Sequence, residues 1–230
     1  MAKKFSNRYI FIFTAIMVGA VALVLSLLAT ILQPIQERNI RLEKMQSILS
    51  SINIEVEREV AEDVFWEYIV QTKVIDYKGK EIKGEAFEID LQDELRKDSL
   101  QRNLPLYIAG VEDDTLYIMP VRGSGLWGPI WGFISVRSDF NTIVGAHFDH
   151  ESETPGLGAQ ISEKEFENKF IGKKLYDEDN NFRSVSVVKS GTQPDDPHNV
   201  DAITGGTITS YGVSDMLYEG ISIYEPYFNK

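Results

Sequence analysis

Residues Leu104–Phe148 read LPLYIAGVEDDTLYIMPVRGSGLWGPIWGFISVRSDFNTIVGAHF. Four runs rich in β-branched and aromatic residues stand out: Leu104 to Val111, Thr115 to Val121, Ile130 to Val136 and Thr142 to Phe148. Each has the length and composition of a strand. The breaks between them are short, and Glu112-Asp113-Asp114 and Ser138-Asp139 carry the side chains that favour tight turns. Short breaks leave no room for a crossover helix, so neighbouring strands run antiparallel. A further apolar run, Phe65 to Tyr77, ends at Lys78-Gly79 and reads as another strand.

Helical signals flank this block instead of alternating with each strand. Ser162 starts a Glu/Lys-rich segment with Phe166 and Phe170 four apart, and Val213, Leu217, Ile221 and Tyr224 recur at helical spacing near the C-terminus. The fold class is therefore α+β. No internal repeat or low-complexity tract is evident.

Upstream, Tyr9 to Leu32 is a run of 24 residues without a charge. As a helix it spans about 36 Å, enough to cross a bilayer. A cleaved signal peptide has an apolar core of about 7 to 15 residues and a small-residue cleavage site, neither of which fits this run. The expectation is an uncleaved single-pass anchor. Lys3, Lys4 and Arg8 precede it closely, while Arg38, Arg41 and Lys44 follow it mixed with Glu37 and Glu43. Proximity of the first group favours an N-terminus inside and a domain outside the cytoplasm. The span holds no Asp, Glu, Lys, Arg or His, so it offers no ionisable group to an ion path. Pro34 and the polar residues after it close the span, and Ile40, Leu42, Met45, Ile48 and Leu49 then suggest either a connecting helix or a solvated stalk. The expected division is 1–8 cytoplasmic, 9–32 anchor, 33–52 connecting helix and 53–230 one soluble domain.

About 185 residues remain beyond the anchor, the size of one domain with a substantial core. Outside residues 1–44 the chain has 17 basic and 33 acidic residues, a net charge of −16, which argues against nucleic acid as a partner. There is no cysteine, which excludes a disulfide framework and any cysteine-held cluster. His147, His150 and His198 lack the spacing of paired metal ligands on a helix, and no metal site is indicated.

Gly123-Ser124-Gly125-Leu126-Trp127-Gly128 matches GxGxxG letter for letter. That fingerprint works only where the glycines lead from a strand into a helix. Pro129 and the strand-like run after it instead make this a connection between strands.

A second glycine-bearing stretch, Asp201-Ala202-Ile203-Thr204-Gly205-Gly206-Thr207-Ile208-Thr209-Ser210, lies where a loop turns into the C-terminal helix. By itself it is a glycine turn with threonines that cap a helix start. The same geometry suits a phosphate, because glycines let backbone approach closely and the first N–H groups of a helix are free. Between Lys189 and Lys230 there is no Lys or Arg. A phosphate monoester carries nearly two charges and usually needs basic side chains. A diester to a hydroxyl carries one, for which a helix N-terminus is sufficient.

Thr204-Gly205-Gly206-Thr207 with Asp201 three residues ahead resembles the D-x-x-[ST]-G-A-T signature at which a flavin transferase esterifies FMN to the last threonine; Gly206 stands where alanine is more usual. Glu153-Thr154-Pro155-Gly156-Leu157-Gly158 resembles the ETPGLG loop of the same family, and Gly125-Leu126-Trp127 its GLW block. Together with the anchor these cover essentially the whole chain. The sequence is thereby identified as a member of the FMN-binding family that comprises the C subunits of the sodium-pumping NADH:quinone oxidoreductase (Nqr) and the related G subunits of the Rnf complex, with the GLW block typical of the Nqr branch.

The resemblance implies one FMN-binding domain behind a single transmembrane helix, with covalent FMN on Thr207, Thr204, Gly205 and Gly206 around the attachment point, and Thr154, Gly156, Leu157, Leu126 and Trp127 against the flavin ring. Trp127 is alternatively a buried core aromatic, and Glu153 and His150 either touch the flavin or only shape the loop. No catalytic acid, base or nucleophile is implied, because the flavin carries the redox chemistry. The implied role is an electron relay from NADH toward quinone in a bacterial inner membrane, with a periplasmic domain. Implied partners are the A, B, D, E and F type subunits, and a flavin transferase during maturation. Two other readings stay open: an Rnf-type G subunit of a ferredoxin:NAD oxidoreductase, and a membrane-tethered binding module without redox function.

Overall fold

The computed structural model describes residues 6–112, 114–189, 191 and 196–229. The chain divides into two units, Met1–Glu43 and Lys44–Lys230. A single helix, α1 (Asn7–Ser51), contributes to both.

In the first unit the apolar side chains from Tyr9 to Ile35 are exposed, and the helix is long and apolar enough to cross a membrane. Its hydroxyls turn inward on the helix itself: Thr14 Oγ1 donates to the Ile10 carbonyl and Thr30 Oγ1 to the Ser26 carbonyl, both at 2.9 Å. Neither leaves a donor unpaired toward lipid. Pro34, expected to close the apolar span ahead of a connecting helix, sits inside one continuous helix that runs through both. Proline removes the one bond its N–H would give to the Thr30 carbonyl, and the good helix formers around it carry the helix onward.

The second unit is built on a six-stranded antiparallel sheet: β1 (Ile69–Asp76), β2 (Glu81–Ile82), β3 (Asn103–Val111), β4 (Asp114–Ser124), β5 (Pro129–Val136) and β6 (Ile143–His150), in the order β2-β1-β3-β4-β5-β6. The four strands read from Leu104–Phe148 are therefore present: β3, β4 and β5 each begin one residue earlier than read, β4 runs three residues further, and β6 begins one residue later and ends two later. The Glu112–Asp114 turn includes Asp113, which lies outside the described residues. The run Phe65 to Tyr77 is not one strand. It begins within a helix, α2 (Ala61–Tyr68), which buries Ala61 and Phe65, and becomes β1 only at Ile69. Ala61 and Phe65 are four apart on one helical face, and Ala61 lies ahead of the run that reads as a strand, beyond Glu62 and Asp63.

The sheet is covered on both faces. On one lie the end of α1, α2 and the turn Ala86–Glu88, with Met45, Ile48, Leu49, Phe65 and Tyr107 fully buried. Phe65, Phe87 and Tyr107 meet edge to face there. Each such side chain contributes about 1.5–3 kcal/mol of burial. Helix α3 (Leu91–Arg96) starts at Asp90, whose carboxylate accepts the Gln92 N–H at 2.8 Å. On the other face lie the turn Gly158–Ser162, α4 (Lys164–Glu167), the turn Asn168–Phe170, and helices α5 (Thr207–Ser222) and α6 (Glu225–Phe228). The Ser162 segment is thus one helical turn flanked by tighter turns, with Phe166 and Phe170 packed on Phe148. A parallel ribbon of β7 (Ser186–Val188) and β8 (Asn199–Asp201) completes this layer.

A polar cluster fastens the end of α1 to the sheet. Glu167, almost fully buried, accepts the Phe148 N–H at 2.8 Å and lies 3.1 Å from His147 Nδ1. Its other oxygen is 3.0 Å from Lys164 Nζ but makes no hydrogen bond in good geometry, so that attraction is mainly coulombic. Lys164 also pairs with Glu55 at 2.6 Å, and Glu55 accepts from Ser50 Oγ at 3.1 Å. Close by, Ser135 Oγ donates to the Ser51 carbonyl, against which Gly145 packs too closely to admit a Cβ.

Candidate functional site

Helix α5 lies on β4. Gly123, Gly212 and Gly220 face this crossing, and a Cβ at any of them would run into Met216, the Ser124 carbonyl or Val121 respectively. Small residues thus let the helix backbone reach the strand. Val213, Met216, Leu217 and Ile221 bury the face that fixes its register. That register carries the start of the helix to the end of β4, beside the turn that leads into β5.

Thr207 is the first residue of α5, and its side chain is exposed. Gly205 has φ +77°, a left-handed conformation that favours glycine, and Gly206 stands at the cap with φ −105° and no side-chain hydrogen bond. Ser210 N–H closes the first turn on the Gly206 carbonyl at 2.8 Å. The N–H groups of Thr207, Ile208 and Thr209 come before that first intrahelical bond, as a phosphate site at a helix N-terminus requires.

The ETPGLG loop lies directly against this start. Thr154 folds it by accepting from Leu157 N–H at 3.1 Å and Ala159 N–H at 3.2 Å through its carbonyl. Gly156 has φ +75° with open space around it. Leu157 approaches Gly205 and Gly206 so closely that a Cβ on Gly205 would lie 2.7 Å from Leu157 Cδ2. Glu153 turns inward: its Oε1 accepts from Trp127 N–H at 2.9 Å and its Oε2 from Thr209 Oγ1 at 2.7 Å. The Gly123–Gly128 stretch is a strand connection, closed by Gly125 N–H to the Gly128 carbonyl at 2.8 Å.

Three segments distant in sequence therefore meet, and they are the three that carry the motifs. Leu126, Trp127 and Leu157 are 47%, 65% and 42% exposed, so Trp127 is not a core aromatic. Thr154, Gly156, Thr204 and Gly205 are also at the surface, and only Gly206 is buried. His150 is set back, with Nδ1 3.4 Å from the Glu153 N–H. Apolar side chains beside an uncapped helix start fit a planar ring that carries a phosphate on a flexible arm.

Several neighbours escaped the sequence. Ile208 and Tyr211, on the outer face of α5, add exposed apolar surface next to Thr207. The pairing of Glu153 with Thr209 joins residues 56 apart. Lys169 lines a hollow of about 240 Å³ together with Asp201, Ile203 and Thr204, so the fold brings a cation to a motif whose own segment has none.

Fold and site together define a flavin-binding domain behind a membrane-length helix. The sequence agrees: residues 125–222 match the family described as the FMN-binding domain. The chain is 32% identical over a 256-residue alignment to the C subunit of the Na+-translocating NADH-quinone reductase of Neisseria meningitidis serogroup B, covering 100% of this chain and 97% of that protein. It is 31% identical over 212 residues to the same subunit of Vibrio alginolyticus, covering 84% and 81%. The crystal structure of this subunit from Parabacteroides distasonis superposes with a TM-score of 0.81 at 42% identity, over 86% of this chain and 98% of that one. That of Shewanella oneidensis, at 23% identity and TM-score 0.69 over 82% and 96%, shares the fold. The chain belongs to the family formed by the C subunits of Na+-translocating NADH-quinone reductase.

Proposed function

We propose that this chain carries FMN esterified to Thr207 and relays electrons within a sodium-translocating NADH:quinone reductase, its domain on the periplasmic side of a bacterial inner membrane. The family membership selects this complex over the Rnf-type alternative. The reading rests chiefly on Thr207 itself: an exposed hydroxyl on the first residue of an uncapped helix, with Gly205 and Gly206 before it and Leu157 packed on them.

The protein's own residues bind and orient. The free N–H groups of Thr207, Ile208 and Thr209 face a single diester charge, and Gly205 and Gly206 keep Cβ atoms out of its way. Leu126, Trp127 and Leu157 offer apolar cover to the ring, and Thr154 and Gly156 shape the loop between. When bound, FMN supplies the electron-transfer chemistry, and no side chain need act as acid, base or nucleophile in that step. The Thr207 hydroxyl would react once, in a substitution at phosphorus catalysed by a flavin transferase: its proton is lost, its oxygen bonds to the flavin's phosphorus, and the bond from that phosphorus to the leaving group of an activated flavin nucleotide breaks. With no ionisable side chain between Tyr9 and Leu32, sodium movement falls to the other subunits.

Mass spectrometry of the chain co-expressed with a flavin transferase tests the attachment. Wild type is expected to carry one FMN and Thr207→Ala none. A wild-type chain left unmodified under those conditions overturns the proposal.

A further inference from the structure

Within the loops that meet at the site, one group is used neither for attachment nor for apolar cover: the carboxylate of Glu153, 5% exposed. Both of its oxygens accept, one from a backbone N–H and one from a hydroxyl. An ionised carboxylate, which only accepts, fits both contacts. A Cβ added at Gly125 or at Gly158 would overlap one or other of these oxygens, so both glycines leave room for the charge. No cation forms an ion pair with it among the described residues. A buried charge held only by neutral donors is expensive to keep. Stability alone gives no reason to keep it, since the same two loops could be joined by a neutral acceptor.

Its position supplies one. Glu153 ties the turn bearing Leu126 and Trp127 to Thr209, two residues beyond the attachment hydroxyl. A fixed negative charge there opposes the arrival of electrons on a neighbouring flavin. We propose that Glu153 is a positioning residue for the flavin that also lowers its reduction potential: the carboxylate clamps the 125–128 turn to the start of α5, and its charge sets the cofactor's electrostatic surroundings. This rests on the reading that FMN sits on Thr207.

The test uses the full chain in detergent, co-expressed with a flavin transferase, as wild type, Glu153→Gln and Thr209→Val. Adduct mass, a potentiometric titration of the flavin absorbance and hydrogen exchange at the Trp127 amide are read on each. Glu153→Gln is expected to keep its adduct, to titrate at a higher potential than wild type, and to exchange the Trp127 amide about tenfold faster as a charge-assisted bond becomes a neutral one. Thr209→Val removes one donor but keeps the charge, and is expected to loosen the turn while titrating close to wild type. A loaded Glu153→Gln chain with wild-type potential overturns the electrostatic part, as does a Thr209→Val shift as large as that of Glu153→Gln. Unchanged exchange at Trp127 in both variants overturns the clamp. That last measurement needs no flavin, so failure of attachment on wild type counts against the Thr207 reading while the clamp is still tested.

Discussion

Glu153 and Glu167 are both buried carboxylates that accept a backbone N–H, yet they sit in opposite electrostatic company. Glu167 meets His147 and Lys164, and Lys164 continues to Glu55, so its charge is shared within a network that fastens the end of α1 to β6. Among the described residues, Glu153 accepts only from the Trp127 N–H and the Thr209 hydroxyl and pairs with no cation. A compensated carboxylate holds structure together, whereas one balanced by neutral donors projects its field on whatever lies beside it. The first suits a joint between a helix end and a sheet, the second the surroundings of the flavin proposed for Thr207.

Glu167→Leu puts the contrast under the greatest load. It removes the acceptor for the buried Phe148 N–H and leaves Lys164, itself partly exposed, paired with Glu55 alone. The expected loss is about 3 kcal/mol, the upper end for leaving a buried donor without its partner, read as a lower urea midpoint of the full chain in detergent. A loss below about 1 kcal/mol, within the range of exposed pairs, means that the network is ornamental. A smaller effect is expected for Gly158→Ala. Its methyl group would fall between Glu153 Oε2 and Thr209 Oγ1, and overpacking of this kind costs roughly 1–3 kcal/mol. It should also speed exchange at the Trp127 amide, and a wild-type melting temperature with unaltered exchange shows that the clamp has slack.

The smallest effect is on pH dependence, and it separates the two regions again. Partial burial pushes the Glu55 carboxyl upward, but the hydrogen bond and charge of Lys164, with help from Ser50 and His147, outweigh it and hold the group below its usual 4.5. A depressed carboxyl contributes stability in full above 4.5 and loses it as pH falls through the folded-state value. Lys164 behaves in the opposite sense. Burial pulls it down, its contacts with Glu55 and Glu167 push it further up, and its contribution is complete below 10.5 and lost only at higher pH. Glu55→Gln should therefore lower the melting temperature slightly near neutrality, where the contribution is complete, and flatten the acid limb of the profile between about pH 5 and pH 3. An acid limb that runs parallel to wild type removes Glu55 from the account.

Much of this was legible in the chain. The central strands announced themselves because each is a short apolar run bounded by turn chemistry, and α5 did so because Val213, Leu217 and Ile221 share a face, although Tyr224, read with them, lies beyond its end. The helix-to-strand change at Ile69 was not, since one apolar run served both elements in turn. β7 and β8, at three residues each, are too short for periodicity to show. At the site, the motif residues were visible through their resemblance to the family's motifs, since glycines and threonines at a helix start by themselves read as a cap. What closes the site was not. Glu153 with Thr209, and Lys169 beside Thr204, are juxtapositions created by packing between segments far apart in sequence. Glu167 lay in a Glu/Lys-rich segment whose charge pattern suggests a solvated face, and only the fold shows that it points inward.

The position of Thr207 also fixes the order of events in biogenesis. Its hydroxyl stands at a helix start only after α5 has settled on β4, because Gly123, Gly212 and Gly220 must first bring the two backbones together. With the attachment proposed for Thr207, flavin loading is expected to follow folding of the domain. The ratio of flavin colour to protein in a preparation would then report the fraction of chains that finished folding.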